Sequence, residues 1–514
     1  MDKRFWIILI LILIVAASIR LPGIRWQQGI NFNGSYSLHP DEMTFVKDAN
    51  RFNKNSLSGY VRGFTAHIYI VKTFIEKILK KNAPLVQISR LISFTYGLLC
   101  LVLVAIMVSM VSGSPGLGLI TSSFLALAPL HIMYSHIGVA DSTVIFYYYL
   151  SLFLGWLHLK TKSEAAYVLF CVSMGICIAV KFFISLFVPL AILIISGERK
   201  IYKCGLAMFV LAGSFSIANF FNYSPWDFRK FIEMLAYDNV VVTAGNTLLG
   251  NVIFYLWSIP SSVGLGNIIF IIIGVTTFII RCERNLLIKT NMSNSLNSFK
   301  RLIRNPNSII LSGLIVQFVL VIRMGISANR HSLFLIPLVC FLAAMGFQSF
   351  CSILKRRKSI VFIVGLVVFS YQTYNAVGVE LIYLNDIREN AVKWLDSRKI
   401  DPNKVTAYMG YSRFRPEYSH SEDLDGCYYF VTCDLEYGRY FISNDANKIF
   451  HAYGGQKRLK FFRDLFSNKL NFRIVQEFKQ KKYTLEQLLI GFHILLPLDT
   501  YTSHKCIIFQ RIKI

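Results

Sequence analysis

Four short stretches of this chain hold ionisable residues beside long apolar runs, where such residues are costly to keep. His39-Pro40-Asp41-Glu42 follows Leu38 between the first two apolar runs. Asp141 stands in the short turn after His131 and His136. Lys181 ends the stretch Ala179-Val180-Lys181, and Asn329-Arg330-His331 precedes another apolar run. A carboxylate in such a place can take the proton from a hydroxyl as that hydroxyl attacks a carbon centre. Lys and Arg can hold and neutralise a departing phosphate, Arg with a two-pronged grip and Lys as a point charge. Each residue also has a plain structural reading. Proline followed by acidic residues is how many helices begin. Asp141 suits a helix N-cap, Lys181 a lysine whose stem lies along apolar surface, and Arg330-His331 an interfacial anchor. His131 and His136 read as interfacial polar groups.

The elements that must position these residues are membrane helices. Of 514 residues, 54% are hydrophobic and only 16% charged, with a mean hydropathy of +0.50. Apolar runs near the length of a hydrocarbon core recur at Phe5 to Ile19, Leu85 to Val111, Leu117 to Met133 and Tyr167 to Val180. They return at Ile268 to Ile280, Ile309 to Ile322, Phe334 to Phe347 and Ile360 to Val377. The first run lacks a small-residue cleavage site after it, since Arg20-Leu21-Pro22 follows, so it reads as a retained span.

Basic residues give the expected orientation. Lys3 and Arg4 place the N-terminus in the cytoplasm. Lys160/Lys162, Arg199/Lys200/Lys203, the stretch Arg281 to Arg304, and Lys355-Arg356-Arg357-Lys358 fall where alternation needs the cytoplasm. About eleven crossings satisfy both hydropathy and this rule, with the C-terminus outside. All four stretches of candidate residues then lie on one face. The formal net charge of +26 follows from cytoplasmic anchors against an anionic leaflet and from basic residues in outward segments that suit a phosphate-bearing substrate. Nucleic acid is not expected as a partner, since no zinc-finger spacing or RNA-binding signature is present.

Three regions emerge: a first outer loop at 21–81 carrying the HPDE motif, the bundle of crossings completing a transmembrane domain at 1–384, and a C-terminal region at 385–514 with shorter apolar runs and intermixed charge. Asp386 to Arg398 and Gln456 to Phe466 read as amphipathic helices. Lys404 to Met409, Cys427 to Thr432, Phe472 to Phe478 and Lys505 to Ile512 read as strands. The fold expected is a polytopic α-helical membrane protein with a C-terminal α/β soluble domain on the outer face. Of ten cysteines, most sit in apolar segments as small hydrophobes. Cys427, Cys433 and Cys506 lie in the outer region, where the first two are the pair considered for a disulfide.

The order of these features resembles the GT-C glycosyltransferases, specifically the bacterial and archaeal relatives of protein O-mannosyltransferases and of the aminoarabinose transferase that modifies lipid A. The family's Asp-Glu pair in the first outer loop is matched by Asp41 and Glu42, and its Asp after the third crossing by Asp141. Gly175 to Lys181 is similar to its Gly-x-x-x-x-x-Lys segment, and Arg330-His331 with Pro337 to its Arg-Tyr pair before a Pro-containing crossing. Here histidine stands in place of the tyrosine, so the role of that phenol is not carried over. Asp386, Arg388, Ala391 and Trp394 also look like the opening of a soluble C-terminal domain in the family.

The resemblance implies a GT-C bundle, a polyprenyl-phosphate sugar donor, an inverting single displacement, and a protein, lipid or glycan acceptor. It implies Asp41 as general base, with Glu42 and Asp141 orienting the acceptor or sharing the proton. Lys181 and Arg330 would grip the donor phosphate, with His39 and His331 beside the substrate. Some members of the family use a divalent metal and others none, and the spacing here assigns no metal ligands. Two other classes compete. A transporter would show paired halves with broken helices at midplane, and no such symmetry is found. A non-catalytic membrane scaffold with an outer partner-binding domain leaves the HPDE loop unexplained.

Overall fold

The computed structural model describes residues 1–26, 39–52, 62–81, 84–181, 184–197, 199–219, 248–287, 304–323, 329–354, 357–407, 414–415, 417–419, 424, 426–434, 437, 455–490 and 504–512. Leu38, Met409, Lys355, Arg356 and most of the basic stretch before Arg304 lie outside these residues.

The first helix, α1 (Lys3–Ile24), starts on an Asp2 cap that accepts from the Phe5 N–H. Two helices, α2 (Pro40–Asn50) and α3 (Gly63–Lys77), precede the next long one, α4 (Leu85–Ser112). Then come α5 (Pro115–Ala126), α6 (Pro129–His136), α7 (Asp141–Thr161), α8 (Glu164–Val180), α9 (Phe187–Ser196) and α10 (Lys200–Ala218). After these are α11 (Leu248–Val263), α12 (Ile268–Leu287), α13 (Asn307–Arg323), a 3-10 turn at Asn329–Leu335, α14 (Ile336–Ile353) and α15 (Lys358–Leu384).

Among the described residues, six helical stretches are long and apolar enough to cross a membrane: Lys3–Ile24, Leu85–Ser112, Asp141–Thr161, Lys200–Ala218, Arg330–Ile353 and Lys358–Ser397. The pair α5 and α6 passes the same test together but bends by 66° at its break, where Pro129 starts the second helix without needing a donor N–H. Glu164–Val180, Phe187–Ser196, Leu265–Ile280 and Asn307–Arg323 are shorter apolar helices. Their outward faces stay apolar: Ile7, Leu11 and Ile14 of α1 are exposed, as are Phe362, Leu366 and Val367 of α15. That is the surface a helix offers to lipid. The shared core lies between α4, α6, α7 and α8, around Tyr134, Tyr148, Tyr149 and Phe170.

The C-terminal region has its own two cores. The helix α16 (Ile387–Ser397) begins on an Asp386 cap. The strands β1 (Val405–Ala407), β2 (Tyr429–Cys433), β3 (Phe472–Lys479) and β4 (Lys505–Arg511) form one sheet in the order β1-β2-β4-β3. The β1–β2 pair is parallel, and β4 runs antiparallel to both of its neighbours. Alternation along the strands sends Val431, Cys433, Cys506 and Ile508 to the face covered by α16. Phe430, Ile507 and Phe509 go to the opposite face, under α17 (Gly455–Phe466). The short helix α18 (Leu485–Ile490) returns to the bundle, where the Leu485 N–H donates to Asn375 Oδ1 of α15 at 3.0 Å.

Candidate active site

The HPDE motif is the first turn of α2. His39 caps it: its Nδ1 accepts from the Asp41 N–H at 3.1 Å and the Glu42 N–H at 3.4 Å. Burial pushes the His39 imidazole below its ordinary range, against the raising influence of Asp41 and Glu42. A neutral ring is what the cap requires, because only a deprotonated Nδ1 can accept.

The two carboxylates of the motif go opposite ways. Glu42 is fully buried, and its oxygens receive the Arg90 guanidinium of α4, Nε to Oε1 at 2.9 Å and Nη2 to Oε2 at 2.8 Å. Arg90 also donates through Nη1 to the Trp26 carbonyl at 2.6 Å and stands 5.2 Å from the Trp26 ring. The Gly138 N–H, in the turn that leads to Asp141, donates to Glu42 Oε1 as well. A Cβ at Gly138 would overlap the Ser89 hydroxyl and lie 3.0 Å from the Arg90 backbone nitrogen. Glycine is therefore what lets this turn sit against α4. Asp41, by contrast, has a side chain 40% exposed and pairs with Arg330 Nη1 at 3.2 Å, itself 33% exposed.

Asp141 opens α7, and Lys181 follows the last turn of α8. Lys181 Nζ lies 2.8 Å from Asp141 Oδ1, with side-chain exposures of 42% and 14%. Arg330 and His331 are also within electrostatic reach of Asp141. The start of α3 presses on the same corner: a Cβ on Gly63 would come 2.5 Å from the Ala179 carbonyl oxygen and 2.8 Å from the Val180 nitrogen. His331 lies 3.5 Å from the Tyr255 hydroxyl of α11. The Tyr149 hydroxyl donates to the Phe334 carbonyl at 2.6 Å and fixes the turn that carries Arg330.

Residues spread from position 39 to 331 thus meet in one cluster of two ion pairs, the exposed Asp41–Arg330 and the more enclosed Asp141–Lys181. Its charges are two negative and two positive. Glu42 stands behind the cluster and ties the Asp41 turn to the Asp141 turn. Sequence reading missed Arg90, which sits inside an apolar run with nothing local to mark its partner.

It also missed a second buried group of charges. Arg20 Nη2 lies 3.1 Å from His131 Nδ1, and His136 Nδ1 lies 2.9 Å from Glu380 Oε1, at ion-pair distance. Glu380 is the foremost negative charge acting on Arg20. The side chains of His131 and His136 are buried within the protein. Glu380 and Arg20 were signalled only as rare charges within hydrophobic stretches. Among the described residues, no group of three or more His, Cys, Asp or Glu side chains could hold a metal ion.

Comparison with solved structures finds the same fold in the oligosaccharyltransferase of Archaeoglobus fulgidus, crystallised with Zn and sulfate. The TM-score is 0.50 at 13% identity, covering 85% of this chain and 69% of that one. ArnT from Cupriavidus metallidurans is also similar. Its apo form matches at TM-score 0.43 and 14% identity, over 76% of this chain and 72% of that chain. Its undecaprenyl phosphate complex matches at 0.46 and 14%, over 77% and 73%. No curated protein sequence matches the chain. The family model of dolichyl-phosphate-mannose-protein mannosyltransferases matches residues 7–201. What the comparisons define is a helical membrane fold shared with that oligosaccharyltransferase, and a likeness to the mannosyltransferase family over the N-terminal part of the chain. The part similar to that family, residues 7–201, includes Asp41, Glu42, Asp141 and Lys181 but stops short of Arg330.

Proposed function

We propose that this protein moves a monosaccharide from a polyprenyl-phosphate donor to an acceptor on the non-cytoplasmic side of the membrane, with inversion at the anomeric carbon. The observation that carries this reading is the pairing of two carboxylates, the exposed Asp41 and the mostly buried Asp141, with two partly exposed cations in one cluster. Asp41 acts as general base and accepts the acceptor's proton as its oxygen attacks. Arg330 and Lys181 turn from their carboxylates to the donor phosphate and hold it as it leaves. Asp141 keeps Lys181 in place before the donor arrives and helps to orient the acceptor. Glu42, which has no exposed surface, serves by positioning its neighbours, and His39 by setting the turn of α2.

The family match supports sugar transfer. A lipid-phosphate donor is further supported by the dolichyl phosphate in that family's description and by the exposed apolar faces of the helices. The N-terminus lies in the cytoplasm and 385–514 form an extracytoplasmic domain that contributes to acceptor recognition. The test is transfer of radiolabel from a polyprenyl-phosphate sugar by the purified protein. Asp41→Asn should cut transfer by orders of magnitude while the protein remains folded. Transfer that survives both Asp41→Asn and Asp141→Asn overturns the mechanism.

A further inference from the structure

Cys433 ends β2 and Cys506 sits near the start of β4, and the two are direct partners in the antiparallel register of those strands. Both side chains belong to the same core, beneath α16, and both are buried. Their position in the ladder can be read from one bond. The Arg511 N–H donates to the Tyr428 carbonyl at 2.9 Å, so residues 428 and 511 face each other as a hydrogen-bonded pair. Pair types alternate along an antiparallel ladder. Five residues on, Cys433 and Cys506 therefore form a non-hydrogen-bonded pair, the kind whose Cα atoms stand closest, about 4.5 Å apart. That separation lies within the span a disulfide bridges. Cys427 is nearer to Cys433 in sequence but belongs to the core on the other side of the sheet, with its Sγ 2.9 Å from the Tyr429 carbonyl. The sheet lies between Cys427 and Cys433.

We propose that Cys433 and Cys506 are joined by a cross-strand disulfide in the mature protein. The inference goes beyond glycosyl transfer and shares only the outward orientation of 385–514, which supplies the oxidising compartment. The oxidant is an exchange partner that carries a disulfide. One cysteine thiolate attacks a sulfur of that partner to give a mixed disulfide and release one partner thiol. The second thiolate then displaces the other partner sulfur. The two cysteines lose two protons and two electrons, and the partner disulfide becomes two thiols. Burial pushes the folded Cys506 thiol well above its ordinary range, which disfavours the attacking thiolate. The exchange accordingly precedes the docking of β4 on β2, and the bond is then enclosed.

The bridge closes a loop that holds α17, β3 and α18, and it lies next to the Asp386–Arg388 ion pair, whose charges act on Cys506. Asp386 accepts from Trp26 Nε1 at 3.2 Å, so the bridged sheet also steadies the attachment of Trp26, on which Arg90 rests.

The test uses the full-length protein, purified from membranes without reductant, unfolded in acid with an alkylating agent present, and digested for mass spectrometry. A linked Cys433–Cys506 peptide that disappears on prior reduction is the expected result, with Cys427 and the exposed Cys204 alkylated throughout. In Cys433→Ser, Cys506 should become fully alkylated. Alkylation of both Cys433 and Cys506 in the unreduced wild type, or a Cys427–Cys433 link, overturns the proposal. If the serine variant does not fold, the wild-type peptide map decides the matter alone. Absence of sugar transfer by a protein that carries the bridge would count against the glycosyltransferase mechanism and leave the bridge intact.

Discussion

At the scale of single residues, the HPDE motif separates chemistry from support within two adjacent positions. Asp41→Asn keeps size and removes the base, so transfer should fall by about 10²–10⁴-fold with an unchanged melting profile, measured by label transfer and thermal unfolding in detergent. Glu42→Gln should behave differently. It leaves the buried Arg90 without its counter-charge, a loss of about 3–5 kcal/mol, seen as a lower unfolding midpoint and less protein in the membrane. His39 sets a pH dependence with a definite sign. Its folded value is depressed, so its contribution is present above the ordinary value of about 6.5 and drains as pH falls below it, where the unfolded chain takes up the proton first. His39→Asn, an N-cap that does not titrate, should flatten that part of the stability profile, as thermal midpoints from pH 7.5 to 5 would reveal. Asp41, Asp141, Lys181 and Arg330 were legible in the sequence because charge beside an apolar run is conspicuous. Their pairing, Asp41 with Arg330 and Asp141 with Lys181, was not, because it depends on contacts between positions far apart in the chain.

At the scale of elements, the site depends on two tight approaches. The α6–α7 turn packs on α4 through Gly138, and the start of α3 packs on the end of α8 through Gly63. At Gly63 an added methyl meets backbone atoms, which cannot rotate away; at Gly138 it meets the Ser89 side chain first and the Arg90 backbone nitrogen behind it. Gly63→Ala should move the end of α8 and with it Lys181, raising the donor KM several-fold while kcat changes less, as a kinetic titration of the donor would record. Helix positions were largely readable from apolar periodicity. The C-terminal strands were readable too: the expected Phe472 to Phe478 and Lys505 to Ile512 match β3 and β4 nearly to the residue. The region around Lys181 and Pro189 was harder, since α8 and α9 are short and meet at a 3-10 turn. Hydropathy averages over such breaks. The order of strands in the sheet was hidden as well, because β4, last in sequence, inserts between β2 and β3.

At the scale of the whole molecule, the chain is tied end to end. Trp26 reaches Asp386, and Arg20 of the first crossing lies within the field of Glu380 on the last helix of the bundle. Membrane class could be read from composition, whereas these ties could not, since each joins parts of the chain far apart in sequence. Glu380→Ala should lower the unfolding midpoint and shorten the half-life in membranes, and Arg20→Met in the same chain should recover part of both, because removing both charges leaves neither unpaired. The same tie constrains biogenesis. When α1 leaves the ribosome and enters the bilayer, the counter-charge for Arg20 has not been synthesised, and His131 arrives only with α6. Until then the guanidinium must reach for the headgroups, as long basic side chains do. A helix that inserts well before its partners is thus among the last to reach its final environment, and a nascent chain released before Glu380 emerges carries an unneutralised cation that quality-control proteases can recognise.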